Sequence, residues 1–149
     1  MIKTPRIIAV TAAIAIGLLA TPALAGCSVQ GLVKNATGGQ VDLGDGGSKP
    51  ADFPSSIPLI EGKIIASAGL GSGVDRVWNL TVETGGSNPY EKIKSDMAGA
   101  GFEITGNVDM SSEEGGAVFF TDDTFGVAIV VGKSDANWTA NYTVTPVAE

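Results

Sequence analysis

Residues 138–145 alternate without interruption: Trp138, Ala140, Tyr142 and Val144 on one side, Thr139, Asn141, Thr143 and Thr145 on the other. A period of two is that of a strand whose successive side chains point to opposite faces. No other feature restricts the fold as much, because it requires a sheet with one covered face and one solvated face. The same test finds five more strands upstream. In residues 125–131, Phe125, Val127, Ile129 and Val131 share a face; in 76–84, Trp78, Leu80 and Val82 do so. Residues 62–70, 102–108 (with Phe102 and Ile104 alternating) and 117–121 complete the set. The links between them are turn-rich: Gly71-Ser72-Gly73, the glycine turn at 84–87, an acidic polar loop at 109–116, Asp122-Asp123 and residues 134–137.

One helix interrupts this pattern, from Pro89 to about Gly99. Asn88 suits the cap, Pro89 the first helical position, and Glu91 stands three residues after the cap as in a capping box. Tyr90, Ile93, Met97 and Ala100 recur at helical spacing and predict one buried stripe. Gly101 is the expected stop. The order ββαββββ with short links gives an α+β fold: a single antiparallel sheet of about six strands, with the amphipathic helix packed on one face. The sheet domain spans 53–149, opening with an extended proline-containing lead-in at Phe53-Pro54 and Ile57-Pro58-Leu59-Ile60.

Residues 1–26 read as an export signal. Lys3 and Arg6 form a positive start, residues 7–20 are apolar except for Thr11 and Gly17, and Pro22 breaks the run before a stretch of small residues. Fourteen apolar residues are short of the roughly 20 that cross a bilayer. The chain's one cysteine follows at once, in Leu24-Ala25-Gly26-Cys27. That tetrapeptide resembles the lipobox of bacterial lipoproteins. The resemblance implies a diacylglycerol thioether on Cys27, cleavage between Gly26 and Cys27, and residence on the outer face of the cell membrane. Ala23-Leu24-Ala25 also meets a small-x-small cleavage pattern that would release a soluble protein with a free thiol. An odd cysteine in an exported chain needs an explanation, and its place directly after Leu-Ala-Gly favours lipidation. Two acyl chains suffice for stable anchoring without a basic patch.

Residues 27–52 read as a flexible tether, with glycines at 31, 38, 39, 44, 46 and 47 and no aromatic residue. A coil of that length reaches about 25–30 Å. Lipobox, glycine-rich tether, proline-containing lead-in and a helix ending in Ala100-Gly101-Phe102 together resemble small actinobacterial lipoproteins of no assigned activity. The resemblance implies a location and an approximate fold.

Charge narrows the partners. Without Lys3 and Arg6 the chain has seven basic against 16 acidic residues. Such a surface is a poor match for nucleic acid, which needs Lys and Arg to displace counterions. Anionic headgroups would repel it as well. There is no histidine, which removes Ser-His-Asp and Cys-His catalysis and most zinc sites. No serine stands three residues before a lysine, and the acidic clusters Asp42…Asp45, Glu113-Glu114 and Asp122-Asp123 lack the spacing of a calcium loop. Gly69-Leu70-Gly71-Ser72-Gly73 has the glycines of a phosphate loop but joins two strands, so it reads as a hairpin turn. The Asn-x-Thr triplets at 35, 79, 137 and 141 read as threonine-rich strand composition, and Trp78, Trp138 and Tyr142 as core.

The expected function is a non-enzymatic binding or protein-interaction module, held to the membrane through Cys27 and needing no metal or cofactor. Its partner would be an envelope protein or a small ligand. The alternative is a ligand carrier with a pocket between helix and sheet, lined by Trp78, Met97 and Phe102. A hydrolase working through carboxylates alone is the third reading.

Overall fold

Alternating strands joined by tight turns can only pair antiparallel with their predecessors, and this rule builds most of the molecule. The computed structural model describes residues 41–43 and 47–148. The strands are β1 (Val41–Leu43), β2 (Lys63–Leu70), β3 (Val77–Thr84), β4 (Glu103–Ser112), β5 (Gly115–Thr121), β6 (Phe125–Ser134) and β7 (Asn137–Pro146). Between β3 and β4 lies α1 (Tyr90–Gly99). All pairings are antiparallel, and the sheet order is β1-β2-β3-β7-β6-β5-β4. The chain leaves the sheet after β3, crosses through α1 and re-enters at the far edge. Three hairpins then bring it back inward, until β7 lands beside β3 with Trp78 opposite Val144 and Thr84 opposite Trp138.

The covered face is the apolar one. Trp78, Leu80, Val82, Val118, Phe120, Val127, Ile129, Val131, Trp138, Ala140, Tyr142 and Val144 are all buried in one cluster. From α1 this cluster receives Tyr90, Ile93 and Met97, and from the lead-in Phe53, Ile57 and Ile60. Burying each such side chain stabilises the fold by about 1.5–3 kcal/mol before entropy is counted. The lead-in therefore covers part of the core face rather than running along an edge. Its Ile60 amide donates to the buried Tyr142 hydroxyl at 3.1 Å, which satisfies both groups.

Both ends of α1 follow from local chemistry. The Asn88 side chain accepts the Tyr90 amide at 3.0 Å, occupying a donor that the first turn cannot satisfy. At the other end Gly101 adopts φ +92°; the Gly101 amide donates to Ala98 and the Phe102 amide to Met97, both carbonyls of the last turn. This is a Schellman termination, and its accompanying apolar contact is between the buried Met97 and Phe102. The expected stripe holds for Tyr90, Ile93 and Met97, whereas Ala100 is exposed because the helix has already ended there.

Two expectations are corrected. Residues 109–116 are not a loop: β4 runs to Ser112 and β5 begins at Gly115, with only Glu113 and Glu114 turning. Every residue of β4 is exposed, so no buried face imprints an alternation on this stretch of sequence. Some residues at the end of the tether expected over 27–52 also belong to the folded domain. Val41–Leu43 pair with Leu70–Ala68, Pro50 is buried, and Asp52 is bonded into the domain. The signal segment, Gly26 and Cys27 lie outside the described residues.

Candidate functional site

The β2–β3 corner is the glycine-rich stretch that resembled a phosphate loop. It joins two strands, as the sequence indicates, through a single 3-10 turn (Gly73–Asp75). Its distinctive feature is Arg76, which ends the corner and folds its guanidinium back beneath it. Nη1 donates to the Gly71 carbonyl at 3.0 Å, and Nη2 donates to Asp52 Oδ1 at 2.8 Å. A Cβ at position 69 would collide with Nη2 and Cζ, so only glycine leaves room for the group. The Trp78 ring lies beside it, its centroid 5.7 Å from Cζ. The Trp78 indole N–H donates to the same Asp52 oxygen at 3.1 Å. Phe53 and Phe125 pack edge-on against Trp78 at 6.5 and 6.1 Å.

These residues line a cleft of about 410 Å³ formed by Asp52, Gly71, Ser72, Gly73, Arg76 and Trp78. The two charges in it are unequally covered: the Arg76 side chain is 9% exposed and that of Asp52 53%. Burial pushes the Asp52 carboxyl up, but hydrogen bonds from Arg76 and Trp78 and the guanidinium charge outweigh it. The group therefore titrates below its ordinary value of 3.8. Arg76 Nε is buried and has no hydrogen-bond partner among the described residues. Such an unpaired buried donor costs about 1–3 kcal/mol and calls for an acceptor.

A second charged cluster ties α1 to the edge of the sheet. Tyr90 donates its hydroxyl proton to Asp109 at 2.6 Å, and Lys94 donates to both Asp109 oxygens at 3.1 and 2.8 Å. The Lys94 and Tyr90 hydrogen bonds hold the Asp109 carboxyl below its ordinary range. These contacts are mutually satisfied and sit on an exposed strand, so they serve as a clasp.

The open face carries the polar residues of the Asn-x-Thr triplets at 79 and 141. Asn79 and Asn141 exchange amide hydrogen bonds at 3.2 and 3.1 Å across β3 and β7, and each also donates to a threonine hydroxyl, Thr143 and Thr81, at 2.9 Å. Period two places Asn and Thr of each triplet on one face, and the register makes them a ladder.

The expected helix–sheet pocket residues have other roles. Met97 and Phe102 are buried in the core, and Trp78 belongs to the corner cleft. Trp138 and Tyr142 are core, as read. Among the described residues no cluster of three or more His, Cys, Asp or Glu could hold a metal ion, and no helix is long and apolar enough to cross a membrane. Asp122 is engaged locally, accepting the Thr124 and Phe125 amides at 2.7 and 2.6 Å to close the β5–β6 turn. Sequence reasoning missed Arg76 and Asp52. The available signal was the only arginine after Arg6, placed directly behind a glycine-rich corner and two residues before a tryptophan. No protein-family model, no curated protein and no solved structure matches this chain.

Proposed function

We propose that this protein is a membrane-tethered extracytoplasmic binding module, anchored through lipidated Cys27, whose ligand site is the corner cleft around Arg76. The observation that carries the binding reading is a largely buried arginine that lines the corner cleft and whose buried Nε has no acceptor among the described residues. Burying an arginine is costly unless its donors are used, so the free Nε–H marks a place for an incoming oxygen. Support for the address comes from Leu24-Ala25-Gly26-Cys27 and the apolar segment before it. Support for a binding role over a catalytic one comes from a chain without histidine whose single cysteine is committed to the anchor.

Two measurements test the proposal. Metabolic labelling with a fatty-acid analogue should mark the wild type, and Cys27→Ser should lose both label and membrane association while its circular dichroism is unchanged; a labelled Cys27→Ser would overturn the anchor. Native mass spectrometry of the full chain from its own host should show a bound small molecule that Arg76→Ala no longer retains. Bare wild-type protein would remove the binding role.

A further inference from the structure

Arginine presents Nε–H and one Nη2–H side by side along one edge, a fork that fits the two oxygens of a carboxylate. In the corner cleft Asp52 engages that edge with one oxygen only: Oδ1 accepts from Nη2, while Nε stays without an acceptor. Oδ1 is shared with the Trp78 indole, which holds the Asp52 carboxylate off the fork's second prong. Asp52 is also half-exposed and comes from the turn just before the lead-in rather than from the sheet, so it can leave without disturbing a strand.

We propose that the cleft binds a small monocarboxylate, held side-on by Nε and Nη2 of Arg76 in the position Asp52 takes in the free protein. This rests on the reading of the cleft as a ligand site and names the ligand's chemistry. Donor geometry and charge both favour a carboxylate. Nε and Nη2 point their N–H bonds in parallel along one edge of the planar guanidinium, at a spacing that the two oxygens of a carboxylate match. Exchange with Asp52 replaces one negative charge by one, so the buried guanidinium is never left without a counterion. A dianion would bring excess negative charge beside the displaced Asp52. Exchange also frees the lead-in at its latch, so the Phe53 amide, bonded to the Pro50 carbonyl at 3.0 Å, becomes easier to open.

The test follows the Arg76 Nε–H and Trp78 indole resonances of the full chain by proton–nitrogen NMR during titration with acetate. Arg76→Lys and Trp78→Phe assign the peaks, since the chain has only one other arginine and one other tryptophan. Both resonances should shift together and saturate. Asp52→Asn, which removes the internal competitor, should tighten acetate binding about tenfold, as expected for one charge-assisted hydrogen bond no longer displaced. Amide exchange at Phe53 should speed up on saturation with acetate. Arg76→Lys keeps the charge without the fork and should lose binding; if it binds acetate like the wild type, the side-on geometry is wrong. Equal or tighter binding of inorganic phosphate overturns the carboxylate assignment, as does the absence of any saturable shift in both the wild type and Asp52→Asn. If native mass spectrometry still finds an Arg76-dependent ligand without a carboxyl group, the binding reading stands and this inference alone fails.

Discussion

At the scale of single residues, the molecule spends its buried polar groups on joining distant parts of the chain. Tyr142 is the clearest case. Its hydroxyl, deep in the core face of β7, accepts the Ile60 amide and so fixes the lead-in over the sheet. Tyr142→Phe removes that acceptor and leaves a buried amide unpaired, and should lower stability by about 1–3 kcal/mol in urea denaturation. A smaller loss would mean that water reaches Ile60. The Arg76–Asp52 pair does the same for Asp52 across 24 residues of sequence. No local pattern announces such a pair: Arg76 continues the period-two stripe of Trp78, Leu80 and Val82, but Asp52 belongs to no stripe, and their meeting depends on how the chain before the lead-in folds back against β3.

At the scale of elements, α1 is set by its two ends. Gly101→Ala forces an alanine into φ +92° and should cost about 1 kcal/mol or slightly more, read as a fall in melting temperature of a few degrees. If the melting temperature is unchanged, the Schellman termination is not needed. Because caps, stops and stripes are local, this helix was legible in the sequence almost to the residue. So were β3, β6 and β7, where one face is buried and the other solvated. The pattern of β4 stops short of its end, and β1 leaves none. A ten-residue edge strand exposed on both faces has no reason to alternate, and a three-residue strand within glycines carries too few positions to show a period. The Asn79–Asn141 ladder was half legible: the triplets gave the spacing, but only strand register could bring them together. The cleft was less legible still, since a glycine-rich corner looks the same whether or not an arginine lies beneath it.

At the scale of the whole molecule, the titratable groups predict a broad pH plateau. Asp52 and Asp109 titrate below 3.8 when folded, so the stability they contribute is complete above that value and disappears as pH falls through their folded values. At the alkaline end, burial raises Tyr142 to about 12 from an ordinary 10.0, so stability falls as pH rises from 10 through 12. Burial and the neighbouring Asp109 carboxylate raise Tyr90 as well, in the same direction. With no histidine to titrate between these limits, urea midpoints should stay level from about pH 4 to 10; a step near neutrality would contradict this. The sheet order has a further consequence, for the timing of folding during synthesis. Of the described strands β7 is the last to emerge from the ribosome, yet it stands between β3 and β6. Until it arrives, the two halves of the sheet, β1-β2-β3 and β6-β5-β4, have no shared seam, so neither half can close the common core on its own.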